Sequence, residues 1–401
     1  MITNKIIISG TGCALADFLY NDISFDSPHF KKYQSEKPAD GGLCPGKLVF
    51  TEELEKYAGK PYPEILNEIK GTRGPDAFNV GGPSLVSLIH ASQLLENKGF
   101  KVRFFGLAGN DETADKLFKI IQRTPLGLKH YLRTGSNATP FTDVLSDPHY
   151  DGGQGERTFV NNIGAAQDYP PEQLTREFFD SHIVCFGGTA LVPQLHDHLG
   201  ELLKKAKYNS CITIVNTVFD FRNEKNNPGQ PWPLVSSIEN YAFIDVLIMD
   251  CEEALRISGK GSIDGAAAYF ASTKVSAFII TNGAGELVAW SGGRLFKKTG
   301  VLKLPVSQKV TRELKSGTPV KGDTTGCGDN FAGGVIASVA WQLRDNEKGH
   351  FNLVEAVSWG VASGGFSCFT IGGTYLESFS GEKRNAVQVI QSAYLIQIKQ
   401  I

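Results

Sequence analysis

The chain alternates between short apolar runs and longer segments in which apolar residues recur at helical spacing. Apolar runs bounded by polar or glycine-rich segments predict strands, and an i, i+3, i+4 recurrence predicts helices. Strands are predicted at residues 5–9, 102–106, 183–186, 212–215, 246–249 and 278–281, and crossover helices at 84–96 and 265–272. Strands that alternate with helices form a largely parallel sheet covered on both faces. The predicted fold class is therefore α/β with a doubly wound, mostly parallel sheet.

Two regions interrupt this alternation. Residues from about 19 to 78 are rich in proline, glycine and charge, with one predicted helix at 52–57. Residues from about 131 to 168 alternate between apolar and polar positions around the turn Asp151-Gly152-Gly153, a pattern typical of paired strands. We interpret both regions as parts of a small β-rich lid on a single domain that spans residues 1–401.

Composition narrows the class of partner. The net charge is −2 and no basic stripe occurs, so neither nucleic acid nor an anionic membrane surface is expected to bind. No apolar stretch approaches the roughly 20 residues of a membrane span. The seven cysteines are scattered without a CxxC pair, which argues against a disulfide framework or a zinc site and favours a reducing, cytoplasmic location. A small-molecule partner is therefore expected.

Two histidines could suggest a metal site. His196 and His198 lie two residues apart in a helix predicted at 193–205, so their side chains would point in different directions. We interpret both as surface residues.

The most informative stretch is Asp-Thr-Thr-Gly-Cys-Gly-Asp-Asn-Phe at residues 323–331, which is followed by apolar residues at helical spacing. A glycine-bounded turn that opens into a packed helix presents unpaired N–H groups and the positive end of the helix dipole. This combination predicts an anion site at Gly326, Cys327 and Gly328. Asp329 would repel a phosphate, which fits a general base, although an acid at this position can also simply cap a helix.

The stretch DTTGCGDNFAGG resembles the C-terminal signature of the PfkB, or ribokinase-like, kinase family, D-T-x-G-A/C-G-D-x-F. The resemblance implies a three-layer ribokinase-like fold and an ATP-dependent kinase that uses Mg²⁺. It implies that Asp329 is the catalytic base and that Gly326, Cys327 and Gly328 form the anion hole. It further suggests that Asp323 and Thr325 help to bind a monovalent cation such as K⁺. Cys327 could be a reactive thiol, because a helix N-terminus lowers a thiol pKa, but we interpret it as a small residue in place of alanine.

Other stretches follow the family's order along the chain. The segment from Gly10 to Asp17 resembles the first strand that ends in an Asp holding substrate hydroxyls, although Asp17 alone could equally be a helix cap. Gly81-Gly82 is similar to the family's double glycine, and residues 106–111 are similar to its G-x-V-G-x-D. The segment 155–159 resembles the lid motif G-E-R-T/S. Arg157 is thereby expected to bind the substrate or its phosphate, or to pair with a lid carboxylate.

Two further motifs concern the nucleotide. Asp250 and Glu253 occupy the place of the family's N-x-x-E motif, which is associated with magnesium and phosphate. Thr281 and Gly283 occupy the place of its T-x-G nucleotide contact. Asp250 replaces the usual Asn, and the Asn expected a few residues after the double glycine is absent from Pro83-Ser84-Leu85-Val86.

The expected substrate carries a hydroxymethyl group. Segment 155–159 is similar to sugar kinases, which favours a carbohydrate, whereas residues 29–33 and 37–38 are similar in placement to a segment of adenosine kinases. A nucleoside such as adenosine is therefore the alternative. The two departures from the family pattern keep open a non-catalytic, ligand-binding regulatory protein. An exposed β-face of the lid also suggests a homodimer.

Overall fold

The structure is a computed structural model that describes residues 5–37, 40–97, 99–153, 155–316, 322, 324–345 and 349–400. Asp323, one of the residues expected to bind a monovalent cation, lies outside the described residues. Strands occupy β1 Ile6–Gly12, β2 Leu15–Tyr20, β3 Leu48–Phe50, β4 Ala77–Gly81, β5 Phe100–Gly109, β6 Gly127–Thr134, β7 Phe141–Asp147, β8 Glu156–Asn162, β9 Ile183–Gly187, β10 Ile212–Asn216, β11 Val246–Asp250, β12 Ala277–Thr281, β13 Leu287–Ser291 and β14 Leu302–Leu304.

The helices separate these strands. They are α1 Pro28–Lys31, α2 Thr51–Ala58, α3 Tyr62–Lys70, α4 Pro83–Leu95, α5 Glu112–Ile121, α6 Tyr150–Gly153, α7 Arg176–Phe179, α8 Pro193–Asp197, α9 Leu199–Tyr208, α10 Phe221–Asn226, α11 Cys251–Ser258, α12 Ile263–Ser272, α13 Gln308–Lys315, α14 Cys327–Asp345, α15 Leu353–Ser367 and α16 Glu382–Ile398. Short 3-10 helices occur at Gly164–Asp168, Pro171–Gln173, Thr189–Leu191 and Ile238–Phe243.

A nine-stranded sheet forms the centre of the molecule, in the order β14-β13-β12-β11-β10-β9-β1-β5-β6. Seven neighbouring strands of this sheet pair in parallel, in the order β12-β11-β10-β9-β1-β5-β6. Strands β13 and β14 are antiparallel at one edge. The chain leaves β1 towards β5 on one side and later returns to β9 on its other side. The strand order therefore reverses beside β1, which creates a crevice at the carboxyl ends of β1 and β9.

Successive residues of the central strands fill two separate hydrophobic cores. Cys185, Ile214 and Ile279 pack on one face with helices α4, α14 and α15. Phe186 and Val215 pack on the other face with helices α9, α11 and α12. Because strand side chains alternate between faces, continuous apolar runs are what a sheet covered on both sides requires. The result is the three-layer α/β architecture that the sequence predicted.

Helix α14 is buried along most of its length between α4 and α15. Its buried residues run without interruption from Asn330 to Ala340. Two glycines permit the close approach: a Cβ on Gly333 would lie 2.6 Å from the Ser87 carbonyl oxygen on α4, and a Cβ on Gly334 would lie 2.8 Å from the Trp359 carbonyl carbon on α15. The packing of the two glycines fixes where the amino terminus of α14 meets the sheet.

A second sheet of five strands, in the order β3-β8-β7-β2-β4, lies beside the first. Strand β2 pairs with β4 antiparallel and with β7 in parallel. This sheet has its own core, in which residues from β2, from the short helices α1 to α3 and from β7 and β8 pack together. They include Tyr20, Phe30, Tyr33, Leu54, Ile65, Leu145 and Val160.

The six predicted strands of the large sheet and helices α4 and α12 are confirmed, with ends displaced by a few residues. The region 19–78 holds three helices rather than the single predicted one, because α1 and α3 start at prolines within short amphipathic segments. Residues 131–134, assigned with the interrupted regions, continue strand β6 at the edge of the large sheet.

The prediction of a surface His196 was wrong. His196 is buried, its Nδ1 lies 3.0 Å from the Thr189 hydroxyl, and its Nε2 lies 3.4 Å from an Asp220 oxygen. The predicted helix 193–205 is two helices, α8 and α9, that meet at His198. His198 is exposed, as predicted. Within the described ranges, no helix combines the length and apolar character needed to cross a membrane.

Candidate active site

The crevice beside β1 is built from backbone in close contact. The Cys13 N–H donates to the Gly187 carbonyl over 2.9 Å, and the Ser84 N–H donates to the Cys13 carbonyl over 3.1 Å. Gly12 has a positive φ of 130°, and a Cβ there would lie 2.8 Å from the Gly187 carbonyl carbon. The ends of β1 and β9 and the start of α4 therefore meet at one point, where only small residues fit.

The predicted substrate residues Asp17, Gly81 and Gly82 come together at this point. Asp17 lies on β2, two residues along from Leu15, whose register partner on β4 is Gly81. A Cβ on Gly81 would lie 2.7 Å from the Asp17 carboxyl carbon, so the carboxylate occupies the space that a side chain would take. Gly82, the N-cap residue before α4, has a positive φ of 92° and packs against Ala14. The double glycine leaves Asp17 half-buried at the mouth of the crevice.

The turn before α14 is held by one buried side chain that the sequence analysis did not single out. The Asn330 amide donates to the Gly326 carbonyl and to the Gly373 carbonyl, each over 2.8 Å. Gly326 has a positive φ of 73°, and a Cβ there would lie 2.5 Å from the Gly373 Cα. The turn is therefore pinned between its own helix and the segment at residue 373. The N–H groups of the first turn of α14 then stand at the positive end of a 19-residue helix.

Asp329 lies in this first turn. Burial raises the pKa of its carboxyl group from 3.8 to about 6. The charges of Asp329 and Asp17 both raise the pKa of the Cys13 thiol, after the larger effect of burial. Cys13, at the end of β1, is thus close enough to both carboxylates to feel their charge, which places Asp17 and Asp329 on the same crevice.

Asp250 and Glu253 form a reciprocal cap at the start of α11. The Glu253 N–H donates to Asp250 Oδ1 over 2.8 Å, and the Asp250 N–H donates to Glu253 Oε2 over 3.1 Å. The Thr217 hydroxyl donates to the same Glu253 oxygen. Glu253 is buried, and its desolvation, with the Asp250 charge, raises the pKa of its carboxyl to about 8. Desolvation also raises the pKa of Asp250. The Asp329 charge contributes to the Glu253 shift, which links this pair to the base position.

Two buried or partly desolvated carboxyl groups suit a hard divalent cation, because their oxygens are the donors that Mg²⁺ prefers and its charge would relieve their repulsion. No group of three or more His, Cys, Asp or Glu side chains with metal-binding placement occurs in the part of the chain that the structure describes. Two carboxyl groups suit an ion whose other ligands are water and phosphate oxygens, the usual manner for Mg²⁺.

Thr281 and Gly283 lie next to this pair. Thr281 ends β12 directly opposite Asp250, and its hydroxyl donates to the Met249 carbonyl over 3.4 Å. Gly283 has a positive φ of 54° in the exposed turn that follows, and a Cβ there would meet nothing within 4 Å. The carboxyl ends of β11 and β12 thus present Asp250, Thr281 and Gly283 along one edge.

Arg157 lies on β8 of the small sheet and reaches the turn before α14. Its guanidinium Nη1 donates to the Thr325 hydroxyl over 2.6 Å. The side chain is half-buried. Arg157 therefore joins the small sheet to the turn before α14.

Three polar residues of the site were missed by the sequence analysis: Asn330, Thr217 and Asn79. Asn330 directly follows Asp329, at a position that the family pattern leaves variable, and Thr217 directly follows β10. Asn79 is the register partner of Asp17, and its amide donates to the Ile371 carbonyl over 3.3 Å. Thr217 could have been found from its place at the carboxyl end of a parallel strand, where ligand-binding residues gather.

Comparison with known proteins decides the family. A profile of the pfkB family of carbohydrate kinases matches residues 77–378, well over half of the chain. The chain belongs to the pfkB family. The match covers every candidate site residue except Asp17. A search among curated protein sequences gives no match.

Solved structures share the pfkB fold over nearly the whole chain. Adenosine kinase from Anopheles gambiae is 20% identical, covers 89% of this chain and 93% of its own, and has a TM-score of 0.62. Adenosine kinase from Schistosoma mansoni is 16% identical, with coverage of 92% and 96% and a TM-score of 0.68. A probable sugar kinase from Rhizobium etli is 15% identical, with coverage of 97% and 99% and a TM-score of 0.66. At these identities the likeness concerns the ribokinase-like fold.

Membership in the pfkB family makes this chain a phosphotransferase that uses ATP, usually with Mg²⁺, and acts on a small molecule. A non-catalytic binding protein, which the two departures from the motif pattern had left open, is not favoured.

Proposed function

We propose that the chain transfers the γ-phosphoryl group of ATP to a hydroxymethyl group of a sugar, with Asp329 as the general base. The observation that carries this proposal is the position of Asp329 in the first turn of α14, with a pKa raised to about 6 by burial. A carboxylate whose pKa lies just below neutral pH is ionised at pH 7, yet is more basic than an exposed one. It can accept the proton of the attacking hydroxyl as the oxygen–phosphorus bond forms.

The N–H groups of Gly326, Cys327 and Gly328 are proposed to hold the charge of the transferring phosphoryl group. Phosphoryl transfer is accelerated chiefly by positioning and by fixed dipoles aimed at the equatorial oxygens. The Asn330 bonds to Gly326 and Gly373 keep the turn in place before the substrate arrives. The Cys327 N–H donates to the Thr324 carbonyl over a long 3.3 Å, a bond that a phosphate oxygen could replace.

Asp17 is proposed to accept hydrogen bonds from substrate hydroxyls, with Gly81 and Gly82 leaving the space. Substitution of either glycine would push into Asp17 or into the backbone of Ala14. Asn79 stands opposite Asp17 on β4 and offers a second polar group on the same face of the small sheet. This face, rather than the segment after the double glycine, would supply the hydroxyl contacts that the absent Asn provides in relatives.

Asp250 and Glu253 are proposed to organise Mg²⁺ through its water ligands, and Thr281 and Gly283 to contact the nucleotide. Bound Mg²⁺ would neutralise charge on the phosphates during transfer. The protein's part is to present two carboxyl groups that a cation would convert to carboxylates. The expectation that Asp323 and Thr325 bind K⁺ stays a prediction, as does a dimer formed through the small sheet.

The lid role of the small sheet is proposed on the Arg157 contact. A guanidinium that reaches from β8 to Thr325 would hold the two sheets together over the reacting groups. Closure of this kind excludes water and so suppresses hydrolysis of ATP.

A sugar is favoured over a nucleoside by the faces of the small sheet. Phe18 follows Asp17, so the two side chains point to opposite faces of β2. Phe18 meets Phe78 edge to face, with ring centres 5.2 Å apart and rings at 78°. This aromatic pair thus lies on the face of the small sheet opposite the Asp17 carboxylate. Its edge-to-face rings also leave no space between them in which a nucleobase could stack. Adenosine is the second candidate, because adenosine kinases share the fold across nearly the whole chain.

The test is phosphorylation of a panel of hexoses, pentoses and nucleosides with ATP and Mg²⁺, followed by identification of the product by phosphorus NMR and mass spectrometry. The proposal expects a phosphomonoester on a primary alcohol of a sugar. A product formed only from adenosine would establish the second candidate, and absence of product from every hydroxymethyl compound would contradict both.

A further inference from the structure

Two cysteines meet at the base of the anion-binding turn. Cys327 is the first residue of α14, Cys368 directly follows α15, and their sulfur atoms lie 3.5 Å apart. The Ser367 hydroxyl oxygen lies 3.2 Å from the Cys327 sulfur and 2.8 Å from the Gly364 carbonyl oxygen, and the Cys368 thiol donates to the same Gly364 carbonyl over 3.6 Å. Both cysteines are partly exposed. The two thiols are therefore adjacent, oriented by neighbouring groups and open to small molecules.

Contact and exposure together distinguish this pair. Cys327 and Cys368 are partly exposed and their sulfur atoms are adjacent, whereas Cys13, Cys185 and Cys211 are buried. Elsewhere in the chain, burial raises the pKa of the Cys13 and Cys185 thiols, so these two remain protonated and unreactive.

We propose that Cys327 and Cys368 form a reversible oxidation site, in which a peroxide converts the two thiols to a disulfide. One of the two sulfurs, as its thiolate, attacks the peroxide, gains one oxygen as a sulfenic acid and releases water or an alcohol. The other sulfur then attacks the sulfenic sulfur, the S–S bond forms and the second oxygen leaves as water. The two thiols lose two electrons and two protons, which the peroxide takes up. A small dithiol reverses the reaction by exchange.

Formation of the bond would disturb the anion-binding turn. A disulfide has a sulfur separation of about 2.05 Å, so the two sulfurs must approach by roughly 1.5 Å from their present 3.5 Å. The turn has little room to absorb this movement. A Cβ on Gly364 would lie 2.9 Å from the Cys327 carbonyl oxygen, and a Cβ on Gly326 would lie 2.5 Å from the Gly373 Cα. Any part of the approach that the backbone supplies would displace the Cys327 N–H and its neighbours.

The consequence for catalysis rests on the proposed role of residues 326–328, whereas the crosslink itself does not. A displacement of about 1 Å at a reacting centre can lower turnover about a hundredfold. Oxidation is accordingly expected to lower kcat by about 10-fold to 100-fold, and treatment with dithiothreitol is expected to restore it.

The experiment exposes the reduced full-length protein to a small molar excess of hydrogen peroxide, blocks remaining thiols with N-ethylmaleimide and maps disulfides by mass spectrometry of unreduced peptides. The expected result is a peptide pair joined through Cys327 and Cys368, with two fewer alkylated thiols per chain. Cys44→Ser, which changes a half-buried cysteine in the small sheet region, is the matched control and should give the same crosslink.

Cys368→Ala separates the possible outcomes. It should keep the activity of the reduced wild type and yield no crosslink at Cys327. The inference is overturned if peroxide oxidises other exposed cysteines of the wild type while Cys327 and Cys368 are still free to be alkylated. It is also overturned if Cys327 forms a disulfide with another cysteine. Because thiol mapping needs no substrate, a failure of the kinase proposal would leave this result readable.

Discussion

The guanidinium of Arg157 donates to the hydroxyl of Thr325 over 2.6 Å, and so joins strand β8 of the small sheet to the turn that opens helix α14. The two residues are 168 positions apart in the chain, and Thr325 lies in the turn that leads to Asp329. A link at this place ties the position of the small sheet to the geometry of the anion-binding turn.

Arg157→Met removes the guanidinium but keeps most of the apolar stem. Loss of a charged hydrogen bond costs about 1.5–3 kcal/mol, so kcat/KM is expected to fall by about 10-fold to 100-fold, while the unfolding temperature changes little. Steady-state kinetics and thermal unfolding measure the two effects. Arg73→Met is the control, because the contacts that the described residues give Arg73 are with Asp76 and with the carbonyls of Asn21 and Asp22, and these lie away from the turn before α14. Equal losses in the two variants would contradict the linking role of Arg157.

Gly81→Ala tests the space that the double glycine leaves for Asp17. The added Cβ would lie 2.7 Å from the carboxyl carbon of Asp17 and from Leu15 Cδ1, so the carboxylate must move. We expect the KM for the phosphate acceptor to rise at least about tenfold, as one lost hydrogen bond to a charged group would cause, with a smaller effect on the KM for ATP. Gly74→Ala, at a position where a Cβ meets nothing within 4 Å, should behave as wild type. A variant at Gly81 with unchanged KM would show that Asp17 does not contact the acceptor.

Glu253→Gln tests the proposed magnesium pair. The neutral amide keeps the shape and part of the hydrogen bonding at the start of α11, but it removes one of two carboxyl groups. The Mg²⁺ concentration needed for half-maximal rate is expected to rise by about 10-fold or more, in line with loss of a group that orients a metal site. Glu252→Gln, next in the chain and exposed, is the matched control. An unchanged Mg²⁺ dependence in the Glu253 variant would rule out the assignment.

The raised pKa of Asp329 predicts two pH effects. In the wild type, kcat/KM should fall about tenfold per pH unit below pH 6, as the base becomes protonated. Stability follows the opposite direction: the unfolded carboxyl ionises near 3.8 and the folded one near 6, so ionisation favours the unfolded chain as pH rises between these values.

Asp329→Asn removes this cost. The variant should be more stable than the wild type at pH 7.5, by up to about 3 kcal/mol, and the advantage should shrink as pH falls from 6 to 4. Denaturant unfolding at several pH values measures it. An advantage that is the same at pH 4 and pH 7.5 would show that the carboxyl has an ordinary pKa.

The sequence predicted the features that depend on local pattern. Buried runs such as 278–281 can be recognised as strands because a strand covered on both faces must be continuously apolar. The turn before α14 could be recognised from its glycines and the apolar spacing that follows. Helix α3 was missed because charged residues dilute its apolar face, and its packing against the other short helices is a tertiary effect.

The residues whose surroundings the sequence analysis missed depend on contacts between distant segments. From the sequence alone, Asn330 is an ordinary polar residue. Its role depends on the contact between Gly326 and Gly373, whose carbonyls both accept hydrogen bonds from its amide. His196 reads as a surface residue because nothing nearby in the sequence indicates that Asp220 will lie beside it. Polar residues inside a core are satisfied by partners that only the folded chain brings into reach, so their roles cannot be derived from local pattern.

The most direct test of the account is the initial rate of ADP formation from ATP and Mg²⁺, measured in parallel for the wild type and for Asp329→Asn. The acceptor is the compound that the wild type phosphorylates in the panel of sugars and nucleosides. The account predicts that the variant folds and binds the acceptor, and that its kcat is lower by about 10²–10⁴, the usual contribution of a general base. A variant that turns over at the wild-type rate would contradict the assignment of Asp329 as the base.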